Sequence, residues 1–251
     1  IKAMPKVRKL AKELGIDLTA VTSAQNGAIT EKDVRNFTGA KTVPLTGKHL
    51  SRNQLAVSRK IRKSYEQIIP LNIVSKINIK NVIEYKNLIY KENGYKISFD
   101  AFFVDAAART ISRLEQFRYY YENELLIDVG SVNIGIAVST LQDLFIPVIK
   151  DCNSKSIEQI DVAIRNFSSR ALEADFKPEE LSDAAFTVSN LGMYPVETFN
   201  VIIPPCQSAA MSIGQFHDEL KFNDDKSISS EPVVTIMLSV DHRFINGRLG
   251  G

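Results

Sequence analysis

Two segments, residues 207–213 and 233–240, carry no charged side chain and are almost continuously apolar. Neither approaches the roughly 20 apolar residues that a membrane-spanning helix needs. Strands that alternate apolar and polar residues keep one face wet, whereas strands that do not alternate are buried on both faces. The chain must therefore cover the middle of a sheet on both sides. Helical patterns accompany these strands. Residues 81–93 read as a helix closed by Asn93-Gly94, and residues 98–114 as a longer one whose Ala106-Ala107-Ala108 suits close packing. Ser156 caps a third, which uses Ile157, Ile160, Ile164, Phe167 and Ala171. Leu71, Ile73, Ile77 and Ile79 alternate with Asn72, Lys76 and Asn78 as in a half-buried strand. Further strands are expected over residues 132–138, 145–149 and 185–189. The class is α+β, with a central mixed sheet.

The first forty residues form a separate pattern. Val7, Leu10, Ala11 and Leu14 recur at helical spacing, and Gly15 stands where a helix stops. Asn26-Gly27 marks a turn, and Thr30-Glu31-Lys32-Asp33 opens a second short helix that buries Val34 and Phe37. These signals give a small all-α domain over residues 1–39, a linker over 40–46 and a large domain over 47–251. The small domain holds seven Lys and Arg against four Asp and Glu, a net of +3 (7 − 4). That is too little for a nucleic-acid-binding domain and better suits an acidic protein partner. The whole chain is nearly neutral, at +2. Cys152 and Cys206 read as free thiols in a reducing compartment. The absence of an initiating Met before Ile1 is read as the mark of a fragment.

Of three histidines, His49 and His217 fit solvated surface positions. His242 directly follows the buried strand 233–240, inside Asp241-His242-Arg243-Phe244-Ile245-Asn246-Gly247. A strand end holds a side chain rigidly at the mouth of a fold, where a general base is useful. A structural histidine fits that position equally well. Ser189 ends another strand in Thr187-Val188-Ser189-Asn190-Leu191-Gly192, where a serine is ordinarily a turn residue. No His/Cys cluster has metal-ligand spacing, and no glycine-rich phosphate loop is present.

The Asp-His-Arg-x-x-x-Gly segment resembles the signature of the dihydrolipoamide acyltransferases of 2-oxo acid dehydrogenase complexes. Other segments follow in that family's order: Val132 to Val138, Asp143 to Ile149, Lys177-Pro178-Glu179-Glu180-Leu181, Phe186 to Gly192, and Pro204-Pro205-Cys206-Gln207. Ala3 to Ala11 and Asn26 to Val34 resemble the family's peripheral subunit-binding domain. The resemblance implies a two-layer, mixed-sheet, coenzyme A-dependent acyltransferase fold. It implies acyl transfer, acetyl first, between dihydrolipoamide and coenzyme A, with His242 as base, Ser189 as oxyanion donor and Asn246 in the histidine loop. The lipoyl group would sit on an upstream domain outside this fragment, and no metal is implied. Residues 1–39, through Arg8 and Lys9, would bind the dehydrogenase component, dihydrolipoamide dehydrogenase or both. The family's homotrimers, built into larger assemblies, would place Ser189 and His242 on neighbouring chains. Neither nucleic acid nor membrane is expected as a partner, and the place would be bacterial cytoplasm or mitochondrial matrix.

Four positions depart from the family pattern: Ala28 replaces a basic residue, Lys60 an Arg, Leu71 a His and Asn246 an Asp. A Lys60–Asn246 hydrogen bond is expected in place of the family's charged pair. The alternatives are a non-catalytic scaffold of the same complex and a free-standing acetyltransferase.

Overall fold

The computed structural model describes residues 2–21, 27–37, 47, 49–140 and 143–251. Asn26 and the linker expected over 40–46 lie outside the described residues. The chain divides into two compact units, Ile1–Leu50 and Ser51–Gly251.

In the first unit, helix α1 (Pro5–Leu14) and helix α2 (Glu31–Asn36) pack Val7, Ala11 and Val34 together with Val21 and Ile29. Pro5 fits the first turn of α1, where its missing N–H has no helical partner to lose. Gly15 closes α1 in the left-handed region, at φ 65°, and its N–H reaches back to the last turn. Thr30 and Asp33 cap α2 reciprocally, as their spacing predicts. The unit is not purely helical as expected: strands β1 (Lys2–Ala3) and β2 (Ala28–Ile29) pair in parallel across its edge.

The second unit begins with helix α3 (Arg52–Gln67), which the sequence reading had not anticipated. Its few apolar residues, Leu55, Val57, Ile61 and Tyr65, are set among charged and polar ones, and Leu55, Ile61 and Tyr65 stay exposed. The Ser51–Gln54 capping box was the available signal. Strand β3 (Pro70–Asn78) follows, then helices α4 (Lys80–Asn93) and α5 (Phe99–Arg113). Strands β4 (Tyr119–Glu122) and β5 (Leu125–Asp128) form a hairpin, also missed. Its two turn residues, Asn123 and Glu124, both take positive φ, and no glycine advertised the turn. The expected strands over 132–138 and 145–149 are each broken in two. They become β6 (Ile134–Ile136), β7 (Val138–Ser139), β8 (Leu144–Phe145) and β9 (Val148–Ile149). Helix α6 (Ile157–Ala171) starts at its Ser156 cap. Strands β10 (Phe186–Asn190), β11 (Ala209–Phe222) and β12 (Ile228–Asp241) complete the sheet, and α7 (Gly247–Gly250) is one turn.

The six-stranded sheet has the order β3-β12-β11-β10-β6-β9. β10 runs parallel to β6 and β11, and the other pairs are antiparallel, so the sheet is mixed. One face carries Ile134, Phe186, Val188, Ala209, Met211, Ile213, Val234 and Val240, which share a core with α4, α5 and α6. The other face is rich in hydroxyls. Thr187, Ser212 and Ser239 are buried there and donate to Gln207 Oε1, the Phe199 carbonyl and Asn72 Oδ1. Satisfied hydroxyls cost little to bury, which explains how the two apolar runs tolerate Ser212 and Ser239.

Candidate active site

His242 leaves the end of β12 in a turn built by its neighbours. The Asp241 carboxylate is buried at 1% exposure and receives both arms of Arg243, Nε at 2.9 Å and Nη2 at 2.6 Å. Such a fork fixes orientation as well as distance. The Arg243 guanidinium lies 4.5 Å from the centre of the Tyr121 ring, on the missed β4–β5 hairpin. The Asp241 carbonyl accepts from Ile245 N at 3.0 Å, and Ile245 is fully buried. Asp and Arg of the motif therefore shape the turn and Ile245 anchors it, leaving His242 on the outside.

The imidazole is oriented by two contacts. The backbone N–H of His242 donates to the Ile69 carbonyl at 2.8 Å, tying the turn to the residue that precedes β3. Its ring Nδ1 lies 3.0 Å from the Ile245 carbonyl oxygen. A carbonyl can only accept, so Nδ1 carries the hydrogen and Nε2 keeps a lone pair directed outward.

Asn246 does not meet Lys60. Its Oδ1 accepts from Leu249 N at 3.0 Å and caps α7, while Lys60 is exposed on α3. Among the described residues no hydrogen bond joins the two within the chain, so the expected pair is corrected to a helix cap. An amide oxygen three residues before an open N–H is a better-placed partner than a flexible lysine on another element.

Ser189 is half-buried near the end of β10, and its hydroxyl has no hydrogen-bond partner among the described residues. The sheet register separates it from His242. Phe186 is level with Ala209, and Ala209 with Val240. Ser189 lies beyond that level in one direction and His242 in the other. The five residues of offset put them about 17 Å apart along the strands, and the two strand spacings about 10 Å apart across them. One chain does not bring the two side chains together. A groove of about 750 Å³ between α3 and the β7–β8 turn, lined by Val57, Ile61, Tyr65, Thr140 and Leu144, contains neither.

The residue after Ser189 is clamped. Asn190 Nδ2 donates to Asp100 Oδ1 at 2.5 Å, and Asn190 Oδ1 accepts from Gly192 N at 2.7 Å. Burial pushes the Asp100 carboxyl above its ordinary range, and the hydrogen bond from Asn190 opposes that. The thiols differ from a ready nucleophile: burial raises Cys152 to about 12 and also raises Cys206. Among the described residues no group of three or more His, Cys, Asp or Glu could hold a metal ion. No described helix is long and apolar enough to cross a membrane.

Residues 44–251 match the model of the 2-oxoacid dehydrogenases acyltransferase catalytic domain. The chain belongs to the 2-oxo acid dehydrogenase acyltransferase family. Residues 1–35 match the e3 binding domain. The acetyltransferase component of the pyruvate dehydrogenase complex of Rickettsia bellii is 28% identical, over 99% of this chain and 63% of its own length. The lipoamide acyltransferase component of the branched-chain complex of Bacillus subtilis is 26% identical, over 98% of this chain and 68% of its own. The chain spans between about half and two thirds of the length of the curated relatives it matches. The fold matches a dihydrolipoamide acetyltransferase of Azotobacter vinelandii, with TM-score 0.76 at 21% identity, over 84% of this chain and 88% of that one. A serine, a histidine and an asparagine have been studied for their role in that enzyme's mechanism.

Of the expected site residues, His242 and Asn246 share one turn, Ser189 stands alone, and Arg8 and Lys9 lie exposed on α1. The reading from sequence missed Asp241 and Arg243 as builders of the turn. Their signal was a charge pair two residues apart at a buried strand end.

Proposed function

We propose that this chain transfers an acyl group between dihydrolipoamide and coenzyme A, with His242 as general base and Ser189 as oxyanion donor. The observation that carries the proposal is the Nδ1 contact of His242 with the Ile245 carbonyl, which leaves Nε2 free to take a proton. His242 Nε2 removes the thiol proton of coenzyme A, and the thiolate attacks the acyl-dihydrolipoamide carbonyl. Ser189 Oγ donates to the tetrahedral oxyanion. Collapse breaks the bond to the dihydrolipoyl sulfur, which takes the proton back from His242. Thioester exchange is close to isoenergetic, so a base and one donor suffice.

Because Ser189 and His242 of one chain stand too far apart, we read the working site as shared between neighbouring copies, as in a homotrimer. In the Azotobacter vinelandii enzyme the histidine and asparagine are four residues apart, as are His242 and Asn246. We assign Asn246 the task of holding the turn that carries His242. Acetyl is the acyl group proposed first. Turnover of dihydrolipoamide with acetyl-, succinyl- and isobutyryl-coenzyme A tests this, and failure with all three would end the enzymatic reading. In His242→Ala and Ser189→Ala, kcat should each fall by at least roughly 100-fold. A wild-type rate for either variant removes that residue from the mechanism.

The lipoyl group that delivers the acyl chain is proposed to ride on a separate domain. The small unit is proposed to bind the dehydrogenase component or dihydrolipoamide dehydrogenase through Arg8 and Lys9, in a bacterial cytoplasm or mitochondrial matrix. Its electrostatic character predicts weaker binding at higher salt, measured by calorimetry at two salt concentrations. Salt-independent affinity would exclude an interface of charges.

A further inference from the structure

We infer that Asp100 is a positioning residue for Ser189, acting through the side chain of Asn190. The inference rests on the proposed acyl transfer and adds a group to it. Ser189 and Asn190 end β10 at a point where the sheet is incomplete. β11 pairs with β10 through Asn190, opposite Ile213, whereas the β6 register stops at Val188, opposite Ile136. The last two residues of β10 are therefore laddered on one side only. A strand end held on one edge is free to fray, and ångström-scale displacement of a catalytic group is costly.

The missing edge is replaced by side chains. Side chains alternate along a strand, so Asn190 points to the helix-covered face while Ser189 points to the hydroxyl-rich one. On the helix face Asn190 meets Asp100, in the first turn of α5, at 2.5 Å. The same amide accepts Gly192 N at 2.7 Å, so one side chain ties the strand end both to α5 and to the following turn. That turn has no slack. A Cβ on Gly192 would lie 2.7 Å from the Gly214 carbonyl and 2.9 Å from Asn190 Oδ1, and Gly214 itself packs against the Glu197 carbonyl. Asp100 thus transmits the rigidity of the helix layer to the backbone that carries the Ser189 hydroxyl.

An oxyanion donor acts in the transition state and contributes little to substrate binding. Displacing Ser189 through Asp100 should lower kcat and leave KM in place. In Asp100→Ala we expect kcat to fall by up to roughly 100-fold, with KM for coenzyme A unchanged. Asp100→Asn keeps an acceptor oxygen of the same shape and should recover most of the rate. The deciding measurement is the double-mutant cycle with Ser189→Ala, with Tm recorded for each protein. Once the hydroxyl is gone, Asp100→Ala should cost nothing further, because its effect passes through Ser189. Equal losses with and without the hydroxyl, or a loss confined to KM, would overturn the positioning role. An inactive wild type would instead defeat the proposed activity and this inference with it.

Discussion

Asn246 illustrates how one polar side chain divides between structure and chemistry. It stands four residues after His242, yet its oxygen is committed to Leu249 N as a helix cap. Replacing a capping Asn by Ala typically costs about 1 kcal/mol. The loss would fall on the turn that orients His242, so Asn246→Ala should reduce activity as well as stability. Asp caps as well as Asn, so Asn246→Asp should remain folded and active. Since Lys60 and Asn246 do not touch within the chain, the effects of Lys60→Arg and Asn246→Asp should add. Steady-state rates for the two single variants and the double variant check this. A coupling well above about 0.5 kcal/mol would show that the two side chains meet, directly or across a subunit boundary.

Between elements, the most consequential polar contact outside the site is Asp161 of α6. It is fully buried and accepts from Tyr95 Oη at 2.6 Å, Ser98 N at 2.8 Å and Arg165 Nε at 2.7 Å. These bonds tie α6 to the segment that starts α5, and so indirectly to Asp100. Burial alone would raise the Asp161 carboxyl, but the hydrogen bonds from Ser98, Tyr95 and Arg165 outweigh it, and the net direction is downward. A carboxyl lowered on folding stabilises the fold above its unfolded pKa of about 4. That contribution is lost as pH falls through the folded value. Asp161→Asn should therefore cost about 2 kcal/mol near neutral pH. The difference from wild type should shrink as pH drops below about 4. Urea unfolding at neutral and acid pH measures both, and a constant difference across that range would contradict the assignment.

For the molecule as a whole, the central fact is that His242 and Ser189, the proposed base and oxyanion donor, sit on opposite sides of the β10–β11–β12 register. If copies of the chain complete each other, two inactive variants should rescue one another. Ser189→Ala and His242→Ala, unfolded together and reassembled, should regain activity that neither shows alone. Some boundaries in the mixed oligomer then pair an intact Ser189 with an intact His242. No recovery from a properly reassembled mixture would place the whole site within one chain and require a large rearrangement of the sheet.

The helices α4, α5 and α6, the strand β10, the apolar halves of β11 and β12 and the caps at Thr30 and Ser156 were legible in the sequence because each is written in local chemistry; the polar halves of β11 and β12, residues 214–222 and 228–232, were not. Periodic apolar residues, a capping hydroxyl or a glycine act over a few residues and leave their pattern in the chain. His242 and Ser189 stood out for a related reason: each stands at the end of a buried strand within a recognisable motif. Helix α3 went unread because its few apolar residues are set among charged ones, leaving the Ser51–Gln54 capping box as its main local mark, and the β4–β5 hairpin hid behind a turn without glycine. The Asp241–Arg243 fork against Tyr121, the cap at Asn246 and the Asp100–Asn190 clamp join side chains through space. Two of these contacts link residues far apart in the chain, and the others depend on which way a turn folds. Strand register, which no single segment encodes, was what separated Ser189 from His242. The sequence by itself determined the local elements and the motifs in which His242 and Ser189 stand, while the tertiary structure decided which residues can meet, because distance across a sheet is set by pairing between segments.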